Sequence, residues 1–492
     1  MIIMEKVREV EILKESIKKS EIPEEKQNAI LDNAKDKILK EKTMDISIKE
    51  GSASSVMSGF GDSYITPFAL ALNANNAQIG LLSSFPSLLA PIAQIFGSRL
   101  MEKYPRRTLI VTGVTLHALM WLPILSLAYL FWKGLFSSYL PVILIVFYSL
   151  YAIFGAIAGP AWFSLLGDIV PEKIRGKYFS KRNKICGTIA LVFTLIGALI
   201  LDYFKTKGII LIGFSILFFF SFVFRFISSR LFKKHYDPEF KLSEGYYFSI
   251  WQFIKKAPKN NFGRFVIFVS LIHLSTAIAG PFFTVYMLED LNFSYTTFMI
   301  VNLSSSITTL LFLPMWGKFS DKYGNRELLR IGSIIIPFLP ILWLLSESPV
   351  YLMLVPQLIG GIGWGAFNFA ASNFIYDSVS PQRRGLCVSY FNVFVGVGTF
   401  TGAAIGGLIA QFVTISFMNI FLFIFLVSGI LRLLVALIIM PSVKEVRKVK
   451  KSKSNPLLYF KEMRPMHGIV YGIAHDLRGI KKMIIKKDRQ YL

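Results

Sequence analysis

The sequence predicts an all-α membrane protein with twelve transmembrane helices in two repeated six-helix bundles. Three observations carry this prediction: an apolar composition, a series of apolar windows of membrane-spanning length, and a repeat between the two halves of the chain. Of the 492 residues, 53% are hydrophobic and only 17% are charged. A chain of this size with that composition is too apolar for a soluble globular protein.

Apolar windows of about 20 residues, the length a helix needs to cross about 30 Å of hydrocarbon, recur from residue 51 onward with short polar breaks. Several contain Gly and Pro, which membrane helices tolerate. We number the predicted spans 1 to 12 and place them at 51–72, 76–98, 107–131, 138–166, 184–203, 208–229, 263–287, 295–316, 328–346, 350–376, 386–412 and 416–440.

The positive residues predict the orientation of the spans. Lys and Arg concentrate in the short connectors after spans 2, 4, 8 and 10. Because such residues are retained on the cytoplasmic side, these connectors and both termini are predicted to be cytoplasmic. We expect a multi-pass protein of the plasma membrane that inserts through its own spans, since no cleavable signal precedes span 1.

Three polar segments flank the two bundles, which are predicted at 51–229 and 263–440. Residues 1–50 are expected to form a charged cytosolic helical extension, either solvated or binding a partner. Residues 230–262 are expected to be a cytosolic linker with an amphipathic helix on the inner leaflet. Residues 441–492 form a basic cytosolic tail that is predicted to contact anionic lipid headgroups.

The net charge of +24 indicates lipid headgroups rather than nucleic acid. The basic residues stand where apolar runs stop, and no zinc-finger spacing is present. The two cysteines, Cys186 and Cys387, indicate neither a disulfide framework nor a metal cluster. We therefore expect no metal and no cofactor, and we expect a monomer.

The loops after spans 2 and 8 repeat each other. The first reads SRLMEKYPRR at 98–107, and the second reads GKFSDKYGNR at 317–326. At an offset of 219, the aligned pairs are Glu102 with Asp321, Lys103 with Lys322, Tyr104 with Tyr323, and Arg107 with Arg326.

A second repeat runs through the connectors after spans 4 and 10 at an offset of 209. It aligns Asp168 with Asp377, and Arg175–Gly176 with Arg384–Gly385. Two blocks in the same order indicate a parallel repeat of six spans. In such a plan the substrate path runs between the halves.

These loops resemble the signature of the major facilitator superfamily, which has a glycine, an acid, a base, a glycine and paired bases between helices 2 and 3 and again between helices 8 and 9. The resemblance covers about 51–440 and implies that superfamily's transporter fold. The first copy departs from the signature at Ser98, Glu102 and Pro105, so a gating role is better supported for Asp321. Span 5 lacks the glycine-proline motif of many drug–proton antiporters.

The charged residues of the repeated connectors predict a cytosolic gate. Their acids and bases can pair across the two bundles and interact with helix ends, which would hold the inner side closed. The alternative is that these charges only fix the topology. The predicted gate residues are Glu102, Lys103, Arg107, Asp168, Arg175, Asp321, Lys322, Arg326, Asp377 and Arg384.

Asp62 lies near the middle of span 1, in the sequence SGFGDSYITPF. An acid at that depth is costly, so it usually faces a wet cavity, pairs with another group, or exchanges a proton. We predict that Asp62 couples transport to protons, with a structural hydrogen bond as the alternative. His273 of span 7 is a second candidate, although a neutral histidine bonded to a neighbouring helix would look the same.

Six polar or aromatic residues within the spans are candidates for a substrate cavity. Their alternative role is to join helices through hydrogen bonds. The candidates are Tyr64, Trp162, Gln357, Trp364, Asn368 and Asn373.

These features predict a secondary active transporter that moves a small molecule by alternating access and is coupled to protons. An enzyme is not expected, because no dense acidic or metal-binding constellation stands at a membrane face. An ATP-driven pump would need a phosphate-binding loop, and the sequence has none. A facilitated uniporter, and a receptor or scaffold built on a transporter fold, are the alternatives.

Overall fold

The computed structural model describes residues 24–238, 249–379, 381–447 and 449. Within these ranges all regular structure is helical, which confirms the predicted fold class. The chain divides into two compact units, Met1–Glu244 and Gly245–Leu492, called here the N-terminal and C-terminal units. Residues 1–23 of the predicted extension, 239–248 of the linker and 450–492 of the tail lie outside the described residues.

Ten of the predicted spans, numbers 2 to 8 and 10 to 12, are helical stretches long and apolar enough to cross a membrane. The connectors between neighbouring spans are short, except for the linker between spans 6 and 7. Among the described residues, these stretches are Asn76–Leu100, Arg106–Trp132, Leu140–Ile169, Lys177–Thr206, Ile210–Phe232, Asn261–Asp290, Tyr295–Tyr323, Pro349–Ser378, Leu386–Phe412 and Ile420–Ser442.

Span 1 is helical but interrupted. A long helix, Glu24–Phe60, begins in the charged extension and passes residue 50 without a break. A single 3-10 turn, Asp62–Tyr64, then separates it from a short helix, Ile65–Ala71. A 3-10 turn within a helical run often marks a hinge or a strained site, and here it begins at Asp62.

Span 9 is also interrupted. Its first helix, Asn325–Ile335, is followed by the short helix Phe338–Leu342. Pro337 stands between them, and a proline removes one backbone donor from the helical ladder. The predicted count of twelve spans therefore depends on these two broken helices.

The linker region contributes one short described helix, Ile250–Lys256, followed by a 3-10 turn, Ala257–Lys259. A capping box at Ser249 precedes this helix. The Ser249 hydroxyl accepts a hydrogen bond from the backbone N–H of Gln252, and the Gln252 side-chain oxygen accepts one from the backbone N–H of Ser249. Such reciprocal bonds satisfy two amide groups that a helix start leaves unpaired.

A glycine ridge allows spans 7 and 11 to pack closely in the C-terminal unit. Gly398, Gly402 and Gly406 are four residues apart and face the backbone of span 7. A Cβ atom on Gly402 would lie 2.0 Å from the carbonyl oxygen of Leu274, so only glycine fits there without separating the helices. Small residues are the usual means of close helix packing in membranes, where lipid provides no hydrophobic driving force.

We predict that Gly402→Ala lowers the melting temperature of the detergent-solubilised protein by several degrees, because the added methyl group must separate spans 7 and 11. Overpacking of this kind typically costs about 1–3 kcal/mol. The matched control is Gly187→Ala, where a Cβ would meet nothing within 4 Å. Equal melting temperatures for the two variants would contradict the packing argument.

Candidate functional site

The 3-10 turn of span 1 places Asp62 against span 4 in the N-terminal unit. Tyr151 donates its hydroxyl to Oδ1 of Asp62, and Ser58 donates to Oδ2 at 2.8 Å. Tyr151 is buried, whereas Asp62 is only half-buried. The carboxyl group is thus anchored by two hydroxyls from spans 1 and 4.

A second layer of polar groups lies behind Tyr151. The ring of His117, from span 3, stacks on the Tyr151 ring with the centroids 3.8 Å apart. Arg225, from span 6, donates from Nε to Nδ1 of His117 at 2.9 Å and from Nη1 to the Ser54 hydroxyl at 2.8 Å. Four spans therefore contribute to one connected network around Asp62.

Glu50 and Arg182 form an ion pair on the face of span 1 that carries Asp62, at the N-terminal end of that span. Arg182 Nη2 donates to Glu50 Oε1 at 2.8 Å, and the Glu50 side chain is only 2% exposed. Ser228 donates to the second carboxylate oxygen of Glu50 at 3.3 Å. The ring of Trp162 lies 4.9 Å from the guanidinium of Arg182, so this predicted cavity residue helps to hold the pair.

The C-terminal unit has an intramembrane arginine in span 12. Arg432 is 2% exposed and donates to the Ser428 hydroxyl at 3.1 Å and to the carbonyl of Ile336 at 3.3 Å. Both partners are neutral. His273 lies beside Trp364, with ring centroids 5.9 Å apart, and it interacts electrostatically with Arg432.

The remaining predicted cavity residues have different surroundings. Gln357, Trp364 and Asn368 are seven and four residues apart, which places them on one face of span 10. Trp364 is half-buried and Asn368 is exposed, while Asn373 is half-buried on another face. Tyr64 is fully buried and donates to the carbonyl of Thr194, so its contact joins spans 1 and 5.

The loop between spans 2 and 3 forms a clamp at the cytosolic end predicted for the N-terminal unit. Buried Arg106 donates to Asp168 at 2.5 Å and to Asp237 at 3.1 Å. The backbone N–H of Arg107 donates to Asp237 at 2.9 Å, and its guanidinium donates to the carbonyl of His235 at 3.3 Å. The start of span 3 is thereby tied to the ends of spans 4 and 6.

The C-terminal unit repeats this clamp at corresponding positions. Asn325 donates to Asp377 at 2.6 Å, and the backbone N–H of Arg326 donates to Glu445 at 2.7 Å. Arg326 also donates from Nε to the carbonyl of Val443 at 2.6 Å. Arg447 supplies the cation to this clamp and pairs with Asp377 at 2.7 Å.

The two clamps account for part of the predicted gate set. Arg107 and Asp168 each contribute a contact to the first clamp, and Arg326 and Asp377 each contribute a contact to the second. Asp321 is 82% exposed and lies 3.7 Å from Arg447. Each of these contacts joins residues of the same unit: the first clamp lies in the N-terminal unit, and the second lies in the C-terminal unit.

The other predicted gate residues have the following surroundings in the described part of the chain. Arg175 donates to the carbonyls of Gly167 and Val170 at the end of span 4. Lys322 lies over the ring of Tyr323, at 4.8 Å. Glu102 and Lys103 are exposed, and the side chain of Arg384 lies outside the described part of the chain.

Several residues of these networks were missed by the sequence analysis, and the repeat could have revealed some of them. Ser221 and Arg225 in SFVFR match Ser428 and Arg432 in SGILR at an offset of 207. The clamp acids Asp237 and Glu445 match at an offset of 208. The repeat therefore extends to the ends of spans 6 and 12.

Comparison with known proteins supports this reading of the fold. A profile described as Major Facilitator Superfamily matches residues 52–272 and again 265–476. The chain is similar to an uncharacterised MFS-type transporter of Methanocaldococcus jannaschii, with 25% identity over 379 residues that cover 75% of this chain and 93% of the relative. It is also similar to the multidrug resistance protein MdtG of Salmonella arizonae, with 24% identity over 368 residues, or 73% and 85% of the two chains.

Solved structures with the same fold include two transporters. A bacterial homologue of the iron transporter ferroportin, in an inward-facing state, matches with a TM-score of 0.62 and 15% identity, covering 82% of this chain and 99% of that one. A variant of the nucleoside transporter NupG matches with a TM-score of 0.61 and 15% identity, covering 81% and 100%. At these identities the likeness concerns the fold alone.

The C-terminal clamp predicts unequal effects for its two acids. Asp377→Asn should lower the melting temperature by several degrees, because the carboxylate is 14% exposed and loss of a charged hydrogen-bond partner typically costs about 1–3 kcal/mol. Asp321→Asn, at 82% exposure, should change stability by about 0.5 kcal/mol or less. A larger loss for Asp321→Asn than for Asp377→Asn would contradict the clamp.

His235 predicts a pH dependence of stability. It follows span 6, is 1% exposed, and neither ring nitrogen has a hydrogen-bond partner among the described residues. Burial, with a smaller effect of Arg182, lowers the pKa of His235 to about 4, against about 6.5 in an unfolded chain. Since the unfolded state then binds the proton more tightly, stability should fall as pH falls from about 6.5 towards 4.

The measurement is thermal unfolding of wild type and His235→Leu across this pH window. The difference between the two proteins isolates His235 from other titrating groups, and the wild type should lose more stability than the variant between pH 7 and pH 5. Parallel pH profiles for the two proteins would show that His235 does not cause the loss.

Proposed function

The chain belongs to the major facilitator superfamily, and we propose that it is a secondary active transporter that couples movement of a small molecule to protons. Because the chain belongs to this superfamily and has apolar helices long enough to span a membrane, it is an integral membrane protein and a transporter of the major facilitator type. We also propose that it resides in the plasma membrane, with both termini in the cytoplasm, because Lys and Arg concentrate in the even-numbered connectors.

The arrangement of Asp62, Tyr151 and Ser58 carries the proposal of proton coupling. A hydroxyl can donate to a carboxylate or accept from a protonated carboxyl group. Tyr151 and Ser58 can therefore satisfy Asp62 in both protonation states. Asp62 also stands at a break in span 1, where the helical ladder does not continue, and this position favours a role in proton exchange.

The clamps support a proposal for the cytosolic gate. Each ties the start of the third span of its unit to the ends of the fourth and sixth spans. Breaking such a tie would free helix ends to move, which alternating access requires. We propose that Asp168 and Asp377 are the central acids of this gate, with Arg107 and Arg326 at the start of the adjoining helices.

The relative named multidrug resistance protein suggests the first compounds to test. A panel of amphipathic organic molecules should be offered to the purified chain in proteoliposomes. Accumulation of a panel member that follows an imposed pH gradient would identify both the substrate class and the coupling ion.

We predict that Asp62→Asn abolishes accumulation driven by a pH gradient and leaves substrate exchange without a gradient largely intact. Asn has nearly the shape of Asp but cannot exchange a proton. The measurement is uptake of a labelled panel compound into proteoliposomes, with and without a gradient. The control is Asp202→Asn, the same change at a half-buried acid of span 5, which should retain accumulation.

Two outcomes would reject parts of this mechanism. Equal gradient-driven accumulation by Asp62→Asn and wild type would remove Asp62 from the coupling step. Wild-type uptake that ignores every imposed proton gradient would instead indicate a facilitated uniporter or another coupling ion.

A further inference from the structure

We propose that a short helix at the predicted cytosolic end of the C-terminal unit docks on anionic lipid headgroups of the inner leaflet. This linker helix, Ile250–Lys256, continues into the 3-10 turn Ala257–Lys259. The occupant of its outward surface is a phospholipid with a negatively charged headgroup, such as phosphatidylglycerol. The proposal depends neither on proton coupling nor on the identity of the transported molecule.

One face of the linker helix is fixed to the C-terminal unit. Phe253 is 6% exposed, and Ala257, about one turn later, is 1% exposed. The ring centroid of Phe253 lies 5.7 Å from that of Tyr390 and 5.6 Å from that of Phe394, both in span 11. Because residues four apart share a helix face, this buried face determines which side chains point away from the unit.

An apolar edge of the same helix is left uncovered. Trp251 is 70% exposed and Ile254 is 39% exposed, and residues three apart are neighbours on a helix surface. Neither residue belongs to a membrane-spanning stretch, so the hydrocarbon core does not account for their exposure. Tryptophan favours the boundary between water and hydrocarbon, where its ring contacts lipid and its N–H can bond to headgroups. Trp251 is therefore the apolar anchor of the docking site.

Exposed lysines stand beside this edge in a segment without acids. Lys255, Lys256 and Lys259 are all exposed, and no Asp or Glu occurs between Glu244 and Glu289. A lysine can lay its alkyl chain along an apolar surface and keep its ammonium group among the headgroups. Each lysine close to an anionic membrane surface should raise the affinity by about fivefold. The charge of the linker helix therefore matches an anionic lipid better than a zwitterionic one.

The connection to span 7 keeps the linker helix close to the membrane boundary. Residues 257–260 alone separate it from the spanning stretch that begins at Asn261. The side chain of Arg264 donates to the carbonyl of Pro258 at 2.9 Å, and a Cβ on Gly263 would lie 2.2 Å from Ala257. The 3-10 turn is thus packed directly on the first turn of span 7, which holds the linker helix near the point where the chain enters lipid.

Bound lipid should stabilise the ends of several spans and not only the linker helix. Asn261 donates from its side chain to the carbonyl of Lys444 at 2.8 Å and accepts from the backbone N–H of Lys444 at 2.7 Å. These bonds tie the start of span 7 to the chain that follows span 12. Because the linker helix also packs on span 11 through Phe253, a lipid that binds it should raise the melting temperature of the protein.

The decisive experiment measures tryptophan fluorescence of the full chain in nanodiscs of phosphatidylglycerol and phosphatidylcholine. An equal mole fraction of one lipid or the other carries brominated acyl chains, which quench tryptophans that they contact. The signal of Trp251 is the difference between wild type and Trp251→Phe. Brominated phosphatidylglycerol should quench this signal about twofold or more as strongly as brominated phosphatidylcholine, and raising the ionic strength to about 1 M should remove the preference.

A triple variant tests the lysines, and a second triple variant serves as its control. The first neutralises the linker lysines and should quench equally with either brominated lipid. The second neutralises exposed lysines at the predicted outer end of the N-terminal unit and should keep the wild-type preference. The variants are Lys255→Gln with Lys256→Gln and Lys259→Gln, and Lys133→Gln with Lys205→Gln and Lys207→Gln.

Three results would overturn the proposal. Absence of quenching by either lipid would mean that Trp251 is covered by protein, such as a second copy of the chain, or stands in water. Equal quenching by both lipids in wild type would mean that the surface does not select anionic headgroups. Loss of the preference in both triple variants would assign it to the overall charge of the protein and not to the linker helix.

Thermal unfolding in a neutral detergent provides a measurement that does not depend on fluorescence. Added phosphatidylglycerol should raise the melting temperature of wild type more than added phosphatidylcholine does, because a ligand that binds only the folded state stabilises it. The linker triple variant should lose this difference and the control triple variant should keep it. Equal shifts with the two lipids in wild type would reject the docking site.

Discussion

The cost of an unpaired polar or charged group away from water governs this structure. In membrane surroundings, helices gain little by hiding apolar surface from each other, so polar contacts and close packing decide which helices meet. Glu50 with Arg182 joins spans 1 and 5, and Arg225 joins span 6 to spans 1 and 3. The polar groups that connect to Asp62 are thus also those that hold the N-terminal bundle together.

The clamps show what the repeat retains and what it exchanges. Both clamps keep an acid at the end of the fourth span of their unit, Asp168 or Asp377, and an acid that accepts from the backbone N–H at the start of the third span. The cation differs in origin, since Arg106 belongs to the loop itself and Arg447 follows span 12. An equivalent balance of charge is therefore reached through different side chains, as expected if electrostatic pairing rather than residue identity is required.

The sequence predicted the features that depend on local composition. Apolar windows located the spans, and the cost of an acid in hydrocarbon singled out Asp62. The partners of Asp62 could not be predicted, because Tyr151 and His117 come from distant spans and look like ordinary residues there. Arg225 escaped notice because phenylalanines surround it in SFVFRF, so the window still reads as apolar. The close packing at the break in span 1 could not be predicted either, because at Gly61 a Cβ would meet Trp121 of a distant segment at 2.4 Å.

The two units differ in the charge they hold within the membrane, although both derive from one six-span plan. The N-terminal unit combines an acid with Arg225, while the corresponding Arg432 has hydroxyl and carbonyl partners. A guanidinium does not release its proton near neutral pH. A carboxyl group, in contrast, can bind and release a proton, which is what a coupling site needs. If transport is coupled to protons, we propose that proton binding belongs to the N-terminal unit, and that the polar face of span 10, with Trp364 and Asn368, is the candidate surface for substrate.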